Sequence, residues 1–131
     1  MRNARRRCAT AIFALGSLLI GAGCHGAAAR PSVAEGRALY RGNGCATCHG
    51  SEGHGDGPIG RTLAPPPRDF RAVRAFKNGT DVSAIAATIE EGLTINGSRM
   101  PPFNHLTERE RQSIALFVIS LRGHSAERTT P

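Results

Sequence analysis

From Ser32 onward the apolar positions recur at helical spacing in three places, and nowhere do they alternate as in a strand. In "SVAEGRALY", Val33, Gly36 and Tyr40 fall on one face, and Ser32 and Glu35 stand in capping-box register. Gly42 marks the stop, which predicts a first helix of about ten residues. Gly36, inside it, costs about 0.5–1 kcal/mol against alanine; a close helix crossing would account for it. The stretch "DVSAIAATIEE", residues 81–91, predicts a second helix capped by Asp81 and ended by Gly92, with Val82, Ile85, Ala86 and Ile89 turned inward. "LTERERQSIALFVISLRG" predicts the last helix: Thr107 and Glu110 form a capping box, Ile114, Phe117, Val118 and Leu121 are buried, and Gly123 ends it. Residues 50–79 carry glycine and proline throughout and predict irregular chain, and "LTINGSRMPPFNHL" predicts a further loop. The fold class is all-α, with three main helices and long loops. An irregular segment that long argues against its own assignment unless it is functional, and wrapping a cofactor would supply the missing core.

The chain opens differently. "MRNARRRCATAIFALGSLLIGAGC" places four arginines before an acid-free apolar run that ends in small residues, the three parts of an export signal. The run falls short of the roughly 18–20 residues that span a bilayer. "LIGAGC" resembles a bacterial lipoprotein signal, with cleavage after Gly23 leaving Cys24 to carry lipid. An ordinary secretory peptide and an uncleaved anchor are the other readings. All three put the folded part outside the cytoplasm. Lipidation also explains an otherwise unpaired Cys24. The expected organisation is a signal at residues 1–23, a linker at 24–31, one domain at 32–122 and a frayed tail at 123–131.

Charge changes little once the signal is set aside. The seventeen basic and ten acidic residues give +7, but four of the arginines belong to the signal, and the remainder carries a net +3. That mild excess concerns solubility and docking. One tyrosine and five phenylalanines are too few for a base-stacking surface, so no nucleic-acid partner is expected.

The candidate chemistry lies in "NGCATCHG". Cys45, Cys48 and His49 have the Cys-x-x-Cys-His spacing of c-type haem attachment. Two thiols so placed add to two vinyl groups on one edge of a haem, and His49 is held under the iron to coordinate through Nε2. A redox disulfide is the first alternative, but it needs a βαβ context that the pattern lacks. A zinc site using His49 and His54 is the second, but no further Cys-x-x-Cys or His-x-x-x-His half-site exists to close it. Beyond the signal Met100 is the only methionine. It stands in "GSRMPPF", where Pro101 and Pro102 stiffen the backbone, and is the candidate for the second axial position, where methionine raises the reduction potential. Filling a gap in the core is the other use of such a residue. His54, between glycines, reads as a solvent or propionate-side residue and His105 as a surface one; His25 and His124 need no function.

The words "GRALY", "NGCATCHG", "GHGDGP", "LAPPPRDF", "NGT", "IEEG", "MPPF" and "ERQSIALFVISL" occur in an order that resembles a class I, monohaem cytochrome c domain over residues 32–122. The resemblance implies one covalent haem c, with Cys45 and Cys48 as thioether sites, His49 as proximal ligand and Met100 as distal ligand. It implies a helix crossing at Gly36, Tyr40 and Phe117. It also implies a backbone carbonyl, here that of Pro58, accepting the Nδ1 proton of His49, and an arginine, Arg68 or Arg99, against a haem propionate. The expected function is single-electron transfer by a periplasmic, lipid-anchored cytochrome, as a carrier or as the haem subunit of a respiratory complex. Its partners would be redox proteins of a membrane electron-transport chain, with no small-molecule substrate and no catalysis of its own; a soluble periplasmic location is the alternative. Two rival functions remain open: a haem enzyme or gas-binding protein with an open distal side, and an assembly subunit stabilised by haem. One departure is that twelve arginines and a single lysine, Lys77, follow the signal, so the lysine-ringed docking face of mitochondrial cytochromes is not implied.

Overall fold

Helix α1 (Val33–Gly42) begins at Ser32, whose hydroxyl accepts the Glu35 N–H at 3.2 Å. The reciprocal half of the expected capping box does not form. The Glu35 carboxylate instead reaches across to the last helix, accepting from Arg109 at 2.5 Å and from the Ser113 hydroxyl at 2.8 Å, while the Ser32 N–H donates to Ser113 Oγ. A short helix α2 (Cys45–His49) follows, then two 3-10 turns at Gly60–Thr62 and Val73–Ala75 within otherwise irregular chain. Helix α3 (Val82–Glu91) is capped by Asp81, which accepts from the Ala84 N–H at 3.0 Å. Helix α4 (Glu108–Ser120) has both halves of its Thr107–Glu110 capping box. The computed structural model describes residues 29–122. The signal, Cys24, His25, the first part of the linker, Gly123, His124 and the rest of the tail lie outside the described residues. No helix among the described residues is long and apolar enough to cross a membrane.

The main packing is α1 across α4, with α3 laid against α4. Tyr40, Ile85, Ile89, Leu106, Ile114, Phe117, Val118 and Leu121 form the buried cluster between them. Val33, expected on the inner face of α1, is 43 % exposed; it occupies the first turn, before α1 reaches the crossing. The crossing itself is set at Gly36. A Cβ built there would stand 1.8 Å from the Ser113 carbonyl oxygen and 2.5 Å from its carbon, so α1 meets the backbone of α4 directly. Arg111 is buried in α4 but paired, with Nη2 2.8 Å from Glu90 of α3 and Nη1 donating to the Leu106 carbonyl.

Tyr40 joins this crossing to the cysteine turn. Its ring meets Phe117 edge to face at 5.2 Å, and its hydroxyl donates to the Gly50 carbonyl at 2.7 Å. Tyr40→Phe keeps the packing and leaves that buried acceptor unpaired. The expected cost is about 1–3 kcal/mol, read as a lower denaturation midpoint with an unchanged m-value.

The all-α class holds with one addition. Leu93–Ile95 (β1) and Ser98–Met100 (β2) form an antiparallel hairpin with Leu93 opposite Met100, Thr94 opposite Arg99 and Ile95 opposite Ser98. The turn is Asn96-Gly97, with φ of 47° and 89°, the two positive values a type I′ turn requires. Met100 is therefore presented by a strand, where an irregular loop was expected.

Candidate functional site

The turn of α2 is too short to satisfy its own carbonyls, and the glycine-rich loop after it supplies the donors. The N–H groups of Gly55, Gly57 and Ile59 donate to the carbonyls of His49, Cys48 and Thr47 at 2.8, 3.2 and 3.0 Å. The loop thus clamps the backbone of the Cys-x-x-Cys-His segment and leaves the half-buried Cys45, Cys48 and His49 side chains free to face inward.

Those side chains open into a cavity of about 710 Å³, within the range of pockets that bury a cofactor-sized ligand. Cys45, Cys48 and His49 line it from α2, Leu63, Pro65, Pro66 and Pro67 from the long loop, and Leu93, Ile95 and Met100 from the hairpin. The two sides are tied: Ser98 Oγ donates to the Pro65 carbonyl at 2.8 Å. Strand alternation places Met100 on the same half-buried face as Ser98, while Arg99 between them is exposed. Around this apolar wall, among the described residues, the charged lining residues are Arg68, Lys77 and Arg99. The Nε of Arg68 is out of contact with solvent and has no partner. An apolar cavity with cations and no acid among its lining residues suits a flat apolar group that carries anionic substituents.

Both cysteines are free thiols. Burial pushes the Cys45 thiol up to about 11, so it is protonated at neutral pH, unlike the low-pKa thiolate of a redox Cys-x-x-Cys pair. Burial pushes His49 down to about 4, and the Arg68 backbone nearby opposes that shift. The imidazole is therefore neutral at physiological pH, with a lone pair free for a metal. Its Nδ1 is shielded from solvent and makes no close hydrogen bond among the described residues, and the residue lines the cavity. Among the described residues no three His, Cys, Asp or Glu side chains converge as a metal cage, so the zinc alternative lacks its ligands. The donor set of two thiols, one imidazole and one thioether around an apolar chamber fits a covalently held haem.

The structure brings Cys45, Cys48, His49, Met100, Arg68 and Arg99 to one cavity. Pro58 is placed elsewhere. It is exposed and absent from the lining, and the backbone acting on His49 is that of Arg68, because the loop bearing Arg68 and Phe70 returns beside the imidazole. His54 is half-buried and outside the lining; His105 is exposed, with Nε2 3.3 Å from Asn43 Oδ1. Sequence reasoning missed Phe70, which stacks on His49 with ring centroids 4.7 Å apart. It also gave no part to Lys77 and Phe76 in the cavity wall. A cluster of aromatic residues in a proline-rich loop was the available signal for Phe70 and Phe76.

No curated protein matches the chain at a significant level. A solved structure, the Kuenenia stuttgartiensis reducing HAO-like protein complex Kustc0457/Kustc0458, contains a similar chain. It is 35% identical with a TM-score of 0.58, over 74% of this chain and 45% of that one, so this chain spans less than half the length of that relative. The family model described as cytochrome C oxidase, cbb3-type, subunit III matches residues 31–118. That match takes in both cysteines, His49, Met100 and most of α4, and the chain belongs to this family of cytochrome c domains.

Proposed function

We propose that the protein is a periplasmic, lipid-anchored c-type cytochrome that passes single electrons, as a carrier or as the haem subunit of a respiratory complex. The observation that carries the reading is the convergence of Cys45, Cys48, His49 and Met100 on one apolar cavity whose charged lining residues are all cationic. Cys45 and Cys48 would hold one haem as thioethers, His49 and Met100 would ligate its iron, and Arg68 and Arg99 would face its propionates. Bound haem supplies a one-electron iron couple. The chain keeps water from the site with Leu63, Leu93, Ile95 and Phe103; it keeps the hairpin that bears Met100 in place by tying it to the proline loop through Ser98, and holds the turn that bears His49 through the N–H groups of Gly55, Gly57 and Ile59. Electron exchange with partners then needs no bound substrate and no proton moved by the protein. The likeness to a chain of a multiprotein complex supports a redox protein as partner.

The test is a redox titration followed by oxidation of the reduced protein by native membranes under oxygen. A one-electron Nernstian titration and rapid reoxidation support the reading. Ready binding of cyanide or carbon monoxide by the wild type, with no electron transfer to membranes, would favour an open haem site instead. Anchoring is tested separately. Cys24→Ser is expected to move the protein from the membrane to the soluble periplasmic fraction, because one acylated cysteine is the proposed attachment. Retention in the membrane would point to an uncleaved N-terminal anchor.

A further inference from the structure

Helix α1 has two unlike faces. Gly36, Leu39 and Tyr40 turn inward, which leaves Val33, Ala34, Arg37, Ala38 and Arg41 exposed on the other side. Glu35, the one acid of the helix, is held on the inner side by Arg109 and the Ser113 hydroxyl. The outer face therefore combines apolar side chains with two arginines one turn apart and no acid. Arg30, also exposed, stands just ahead of the Ser32 cap. We propose that this face of α1, with Arg30, lies on an anionic phospholipid surface and orients the domain on the membrane to which the chain is attached. This rests on the attachment through Cys24 given above and adds a contact that reading does not contain.

The cations of this face are uncommitted. Arg61, Arg71, Arg109 and Arg111 each pair with a carboxylate, whereas no carboxylate among the described residues pairs with Arg30, Arg37 or Arg41. Arg37 lies over the Phe117 ring, 5.5 Å from its centroid, a contact that leaves its charge unneutralised. The acids at the start of α4 are engaged with their own helix: Glu110 accepts from the Thr107 N–H and Glu108 from Gln112. Position favours lipid as the occupant. Cys24 stands eight residues before Ser32, a span of at most about 29 Å, so a lipid at Cys24 keeps the start of α1 near the bilayer in every encounter with a partner. Cations beside an anchor draw anionic headgroups, each arginine improving partition about fivefold. Val33, 43 % exposed, and the alanines beside it can enter the headgroup layer without leaving a polar group unpaired. Salt screens such contacts, so the face orients a domain that the anchor retains.

The experiment uses the haem-loaded chain exported behind an ordinary secretory signal, with Cys24→Ser so that acylation cannot contribute. At low salt it should sediment with phosphatidylcholine vesicles that contain phosphatidylglycerol and not with phosphatidylcholine alone, and the binding should fall as salt is raised. Arg37→Gln with Arg41→Gln should weaken that binding by roughly 25-fold, at about fivefold per arginine. Arg61→Gln with Arg74→Gln removes the same charge from other exposed positions and should weaken it far less. Equal losses in the two variants would mean that net charge alone is read, and would overturn the proposal. So would a parent chain that sediments with neither vesicle or equally with both. An Arg37, Arg41 variant that binds vesicles unchanged but loses electron exchange with native membranes would assign the face to an acidic protein partner, which also overturns it. Whether Cys24 carries lipid is read from the intact mass of the native protein, so failure of the attachment reading is distinct from each of these results.

Discussion

Met100→Ala is expected to turn a low-spin, six-coordinate cytochrome into a high-spin haem protein that binds cyanide or carbon monoxide readily. Among the described residues Met100 is the only thioether lining the cavity, and its strand register with Leu93 fixes which way it faces. His105, five residues on, is exposed, lies outside the lining and is engaged with Asn43. Loss of the thioether should abolish the sulfur-to-iron charge-transfer band. It should also lower the reduction potential by a sizeable part of the roughly 0.8 V that axial ligation spans. The folded protein should change little, because the substitution leaves the hairpin backbone paired. Visible spectra and a potentiometric titration make the check. A variant with wild-type spectrum and potential would remove Met100 from the iron.

Gly36→Ala is expected to be strongly destabilising. The added carbon would meet the Ser113 carbonyl oxygen at 1.8 Å and the Ile114 nitrogen at 3.0 Å. Both are backbone atoms of α4, so no rotamer change can relieve the contact and the two helices must part. Overpacking ordinarily costs about 1–3 kcal/mol and occasionally more. With helix backbone as the obstacle, about 3 kcal/mol is expected. At roughly 4–8 °C per kcal/mol for a domain of this size, the melting temperature should fall by roughly 12–24 °C. Parting the helices also strains the bonds that Ser113 makes to Ser32 and Glu35. Gly42→Ala is the control, since a Cβ there meets nothing within 4 Å and helix propensity alone favours it. Thermal unfolding of the pair decides: equal melting temperatures would mean that α1 and α4 do not cross as described.

Much of this was legible because the decisive signals are local. The capping box at Thr107 and Glu110, the Asp81 cap and the stop at Gly92 depend on neighbours within one turn, and all three stand as expected. The Cys-x-x-Cys-His turn is likewise a local signal. The capping-box expectation at Ser32 failed in its second half for a tertiary reason: Glu35 finds better partners in Arg109 and Ser113, over seventy residues away. The strands of the hairpin are too short to show alternation, and its one local signal is the turn. Asn96-Gly97 between short apolar runs is a strong hairpin signal, obscured by Pro101 and Pro102 immediately after Met100. The place of Phe70 could not be read from spacing, since its contact with His49 depends on how a long loop returns over α2. Pro58 shows the converse. The resemblance implied its carbonyl as the partner of His49, but Pro58 is exposed, and the Arg68 backbone comes near the imidazole.

The most direct test of the central claim is the intact mass of the exported, native protein, combined with thiol alkylation. One haem added to the chain, with Cys45 and Cys48 both closed to alkylation, is the predicted result. A colourless protein whose mass is that of the polypeptide alone, with both thiols alkylated in full, would contradict it.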